Sequence, residues 1–258
     1  PISVTTIGEG AFIECSSLKQ ITIPSTIKSI KKGTFAGCSS LEQLIIPSSV
    51  TTIEDYAFVK CLSLREINIP SSVTSICSSA FLLCVSLKQI TIPNSVISIG
   101  EGVFAGCSSL ENITINSPIT TFEKAFFLKC SLLKEITIPP SVTSIGKGAF
   151  YGCSSLKQLI IPPSVTFIDE GDFAECSSLK EISILSPITS IKSKTFKRCS
   201  SLTQMIIPSS VISIESRSFF DCISLKEIVI PNSVTSIGVT AFSKCSSLKE
   251  IEIPSSVT

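Results

Sequence analysis

Apolar and polar positions recur along the chain with a period of 23 residues. In the stretch Leu18 to Ile23, the apolar residues Leu18, Ile21 and Ile23 are spaced by the polar residues Lys19, Gln20 and Thr22. Alternation over the last three predicts a short strand that sends Ile21 and Ile23 inward and Thr22 outward. Pro24 has no N–H to give to a sheet ladder and ends the strand. Val4 and Ile7 point inward on the return path, where the consensus V-T-S-I, rich in β-branched residues, predicts a second short strand. Gly8 and Gly10 mark a turn, and Ala11-Phe12 through Cys15 predicts one turn of 3₁₀- or α-helix. Ser16 and Ser17 then lead to the next copy.

The consensus is P-S-S-V-T-S-I-G-x-G-A-F-x-x-C-S-S-L-K-x-I-x-I, without insertion or deletion. Its eleven copies are 1–23, 24–46, 47–69, 70–92, 93–115, 116–138, 139–161, 162–184, 185–207, 208–230 and 231–253, followed by a partial twelfth. A fixed period of this length signals a solenoid, and the L-x-x-I-x-I element is that of a leucine-rich repeat. The expected fold is one leucine-rich-repeat solenoid over 1–258, curved and right-handed. A parallel β-sheet would line the concave face, with short strands, turns and short helical turns on the convex side. The Phe12, Leu18 and Ile23 columns do not vary in any of the eleven copies, and in the Ile7 column only Phe122 departs. Such ladders form a continuous core, in which replacing a Phe such as Phe127 by Ala is expected to cost about 3–5 kcal/mol.

The repeat resembles the BspA-like subclass of leucine-rich repeats, most closely over Pro70–Ile92, Pro139–Ile161 and Pro231–Ile253. The resemblance covers the whole chain. It implies large surface-protein families of bacteria and protozoan parasites, with members that adhere to host or microbial proteins, and it implies no catalytic motif. Copies six and nine depart from the pattern at Asn116-Ser117-Pro118 and Leu185-Ser186-Pro187, where the proline moves by two positions.

A net charge of +1 lacks the basic footprint of a general nucleic-acid binder. Mean hydropathy is +0.50, yet proline or polar residues interrupt each apolar run long before the ~20 residues of a membrane span. Pro1 opens in mid-pattern and both ends cut through repeats, so the chain is expected to be part of a longer protein. Eleven of the twelve cysteines occupy one column, from Cys15 to Cys245, which reads as a ladder of small packed hydrophobes. The absence of C-x-x-C pairs and of histidine speaks against zinc. Cys77 replaces a turn residue and reads as a tolerated substitution rather than a reactive thiol. Ser17 recurs in ten of eleven copies, which suits rung-to-rung hydrogen bonding better than catalysis. Asp169, Glu170, Asp172 and Glu175 read as a solvated acidic edge. No catalytic residue, cofactor or metal site is expected.

Function must then lie in exposed columns. The Thr22 column changes most in character and carries Ile45, Ile160, Ile206 and Val229; the Gln20 column beside it carries Gln158, Gln204 and Glu227. Ile206 and Val229 should lie side by side, with Ile160 two rungs from Ile206. An apolar strip rimmed by Gln and Glu suits a protein ligand, either a host extracellular or a microbial surface protein. Plain β-propensity explains the same residues equally well. A sulfated glycan at Lys192, Lys194, Lys197 and Arg198 is disfavoured, because the adjacent acids neutralise so small a patch. The leading expectation is non-enzymatic recognition at the cell surface or after secretion, with an intracellular scaffold as the alternative. Asn112-Ile113-Thr114 is the only N-glycosylation sequon, and it falls on the strand face.

Overall fold

A computed structural model describes residues 3–258, so Pro1, which opens the first copy, and Ile2 lie outside the described residues. The chain divides into two compact units. One holds residues up to Ile119 together with Ala125–Leu133; the other holds Thr120–Lys124 with Lys134–Thr258. Each unit is a parallel-strand β-solenoid built from the same 23-residue rung.

Two strand ladders recur in both units. The longer runs through strands such as Gln43–Ile45 and Gln89–Ile92 in the first unit, and Gln158–Ile161 and Gln204–Ile206 in the second. The shorter ladder uses the predicted second strand, as at Ser29–Ile30, Thr52–Ile53 and Ser213–Ile214. Register is in phase with the repeat: Ile21 lies opposite Leu44, and Met205 opposite Ile228. Inward and outward positions alternate as the sequence pattern requires, with Leu44 and Ile46 buried and Ile45 exposed.

The stretch expected to be a helical turn is not helical, and no helix occurs among the described residues. Hydrogen bonding explains why. Gly33, Phe35 and Gly37 send their N–H groups forward to the carbonyls of Asp55, Ala57 and Val59 in the next copy, while Ala36 and Cys38 bond back three residues, to Gly33 and Phe35. A helix would need every N–H within its own rung. Turning alternate groups outward places the tenth and fourteenth residues of each copy in the left-handed region. Gly33 and Gly37 do this at φ 61° and 73°, but Tyr56 and Lys60 occupy the same positions at 56° and 58°. For a side-chain-bearing residue this costs roughly 1–2 kcal/mol, and pairing with the next rung must outweigh it.

The shifted prolines also have a local explanation. Asn116 and Leu185 stand where other copies place proline, and they donate N–H to Ile92 and Ile161 at 3.0 Å, so their ladders run one bond further. Ser117 then bonds Val96 O at 2.6 Å, the contact that Ser49 and Ser72 make from one position later in their copies. The rung-to-rung hydroxyl bonds expected of the Ser17 column are seen instead in the Ser16 column. Ser131 and Ser200 reach the carbonyls of Ser108 and Ser177, while Ser40 and Ser109 donate backbone N–H groups.

Phenylalanines stack through each core. In the first unit Phe81 lies between Phe58 and Phe104, at centroid distances of 5.4 and 5.8 Å; in the second, Phe196 lies between Phe173 and Phe219, at 5.6 and 5.3 Å. Because Phe81 is fully buried and contacts two rungs, Phe81→Ala should lower unfolding free energy by about 3–5 kcal/mol in urea titration. A loss under about 1 kcal/mol would mean that the stack is not the core of this unit.

Candidate protein-binding face

The outward residues of the longer ladder form an open face in each unit. In the second unit Ile206 lies directly opposite Val229, and Gln204 opposite Glu227. Ile206 is 81% exposed and Val229 69%, so the expected apolar pair is present on the surface. They line a shallow groove of about 330 Å³ with Gln204, Glu181, Glu227 and Leu185. Ile160, 62% exposed, pairs with Ser183 across the ladder, and Gln158 pairs with Glu181. Neither Ile160 nor Gln158 lines this groove. Ile45 belongs to the first unit, in a separate groove of about 510 Å³ lined mainly by amide and hydroxyl side chains such as Gln43, Asn68, Gln89 and Thr91. Asn112 of the sequon also lines that groove. The seven residues therefore divide between two faces, and four of them share one groove.

Leu185 was not expected in the apolar cluster. It is exposed because copy nine has leucine where proline normally ends the strand, and the L-S-P displacement was the available signal.

Charges on the turn side are largely matched across rungs. Glu54 accepts from Lys31 at 2.9 Å, from Ser29 at 2.7 Å and from the Lys32 N–H at 3.1 Å. Glu215 repeats the arrangement with Lys192, Ser190 and the Ser193 N–H. Burial pushes both carboxyls up, but these donors outweigh it and hold them below the usual range. Glu170 bridges Lys194 at 2.7 Å and Lys147 at 3.0 Å, and Arg198 joins Glu175 at 3.1 Å and Asp221 at 3.7 Å. Three of the four basic residues of the copy-nine edge are thus engaged by carboxylates.

Asp172 departs from the expected solvated edge, because it is fully buried. It stands where Ala57, Ala149 and Ala241 stand in other copies, and accepts N–H bonds from Asp169 at 2.7 Å and Ala149 at 3.1 Å. Burial pushes its carboxyl well above the ordinary value despite these donors.

Ten of the column cysteines, all but Cys15, are buried, and the twelve cysteines are free thiols. Along the ladder, thiols donate to the Phe carbonyl of the preceding copy, as Cys84 does to Phe58 at 3.1 Å and Cys199 to Phe173 at 3.1 Å. Burial raises the thiols of Cys38, Cys61, Cys84, Cys107, Cys176 and Cys199, those of Cys107 and Cys176 to about 12. Cys77 is half-buried and also raised, first by burial, while Ser75 lowers it in part and Asp55 and Glu54 add to the rise. It lacks the thiolate-favouring surroundings of a reactive cysteine.

Fold and face together define a leucine-rich-repeat solenoid with an open strand surface. The family described as BspA type Leucine rich repeat region, in six copies, matches residues 1–96, 51–180 and 168–258, and the chain belongs to it. Among solved structures, the chain is similar to a leucine rich cell surface protein from Faecalibacterium prausnitzii A2-165. Identity is 31%, with 98% of this chain and 77% of that one covered, at a TM-score of 0.61. A leucine-rich repeat protein from Bacteroides ovatus is 30% identical over 98% of this chain and 83% of its own, at a TM-score of 0.50. One from Eubacterium ventriosum shares the fold at 24% identity, with 98% and 84% covered and a TM-score of 0.60. Comparison with curated proteins found no significant match.

Folding raises the Asp172 acid above its ordinary 3.8, so the stability its proton contributes is present below that value and lost as pH rises through the folded one. Asp172→Ala should therefore raise the urea midpoint at pH 7 and flatten its fall between pH 4 and 7. Of its three backbone N–H donors, two keep a second acceptor, Gly146 O for Ala149 and Ile145 O for Asp169; Gly148 is the third. A lower midpoint at pH 7 would show that the side-chain bonds outweigh burial. For the thiols, labelling of the native chain with an aromatic disulfide reagent should reach Cys15 first and Cys77 more slowly. The buried ladder should react only after unfolding; fast native labelling of Cys107 or Cys176 would contradict their burial.

Proposed function

We propose that the chain is a non-enzymatic recognition module, displayed at a cell surface, that binds a protein ligand through the strand face of its second unit. The observation that carries this reading is the exposed Ile206–Val229 pair, flanked by Leu185 and rimmed by Gln204 and Glu227. An apolar centre with a polar rim is the usual anatomy of a protein interface, and isoleucine at 81% exposure does nothing for the core. Membership of the BspA-type family and likeness to a bacterial leucine rich cell surface protein support surface display. Host extracellular proteins and microbial surface proteins are the ligand classes to test.

Antibody labelling of intact source cells, with a permeabilised control, checks the display. Labelling before permeabilisation is expected; signal only afterwards would favour the scaffold alternative. Binding of the purified chain to immobilised extracellular-matrix proteins and to intact microbial cells checks the face. Ile206→Lys/Val229→Lys should reduce that binding at least tenfold, about the cost of losing one central apolar contact, with an unchanged unfolding midpoint. Full binding by this variant would remove the face from consideration.

A further inference from the structure

We infer that the groove at Ile206 and Val229 takes an extended segment of a partner protein that carries lysine or arginine beside aliphatic side chains. This rests on the protein-binding reading above and adds the partner's charge. On the turn side, Glu54, Glu170, Glu175 and Glu215 each hold a lysine or arginine of a neighbouring copy. Glu181 and Glu227 differ from them: both are exposed, both line the groove, and neither has an ion-pair partner among the described residues. Lys180 and Lys226 precede the strands and do not line the groove.

Register sets these carboxylates beside the apolar strip. Glu227 and Gln204 face each other in one column, and Val229 and Ile206 do so two residues further along. The next copy places Glu250 and Glu252 in the same two columns, extending the acidic character in sequence. A bound aliphatic chain excludes water from Ile206 and Val229 and lowers the dielectric near the carboxylates. An ammonium or guanidinium would then be held more firmly there, and an acidic segment repelled. The groove thus matches a cationic, aliphatic peptide in both shape and charge.

The test is calorimetric titration of the purified chain with three octapeptides: alternating lysine and leucine, alternating glutamate and leucine, and alternating lysine and serine. The lysine–leucine peptide is expected to bind saturably, and the other two at least tenfold more weakly. Glu181→Gln/Glu227→Gln should weaken its binding roughly fivefold and flatten the salt dependence. Ile206→Ser/Val229→Ser should abolish it without shifting the unfolding midpoint. Equal binding of the lysine–leucine and glutamate–leucine peptides, both lost in the serine variant, would overturn the charge assignment and leave the protein-binding face intact. Lysine–leucine binding that survives the serine variant would overturn both. No lysine–leucine binding at millimolar peptide would overturn the inference.

Discussion

Each rung depends on a hydrogen-bonding schedule that its neighbour must keep. On the turn side, N–H groups such as those of Phe35 and Gly37 go forward to the next copy; flanking the shorter ladder, those of Thr51 and Glu54 go back to the previous one. A copy one residue longer would put both schedules out of phase and strand buried polar groups. The unvarying 23-residue period and the left-handed residues at fixed places follow from this constraint. Neither Lys60 nor Arg217 favours a positive φ by itself. They adopt it because pairing with the next rung requires alternate N–H groups to point out of their own.

The same constraint accounts for the side-chain columns. Once rungs are in register, identical positions stack, so a residue that suits one rung suits the next. Phenylalanine rings stack on one another, and cysteine fits because it is small, apolar and able to give a weak hydrogen bond to a carbonyl already shared with the backbone. Serine and threonine do the equivalent nearer the surface, where Ser49 and Ser72 reach across one rung. Chemistry in these columns is used up in assembly, and variation falls to the turns, as at Gly33, Tyr56 and Lys194, and to the outward positions of the strand face.

Charge is distributed accordingly. On the turns, acids and bases of adjacent copies meet, and Glu170 holds two lysines at once. On the strand face of the second unit, Glu181 and Glu227 flank aliphatic side chains and meet no cation among the described residues. Such an arrangement adds little to stability, as exposed charges seldom do. What it adds is a surface with a sign, beside apolar groups that their own unit leaves mostly exposed.

Periodicity alone determined the rung, its two strands, the inward columns and the exposure of Ile45, Ile160, Ile206 and Val229, because a residue's direction in a strand depends only on its place in a period of two. Family membership was legible for the same reason, since the columns that define it are those the core requires. Tertiary structure decided what depends on distance between copies. The turns are not helical because their N–H groups have partners in the next rung. Asp172 is buried although it stands among acids, because its column faces inward from Thr34 to Ala241 whatever residue occupies it. Leu185 joins the apolar pair, and Ile160 lies outside their groove, because a groove is made of neighbours across rungs. A sequence read along one strand gives direction but not company, and a binding surface is a matter of company.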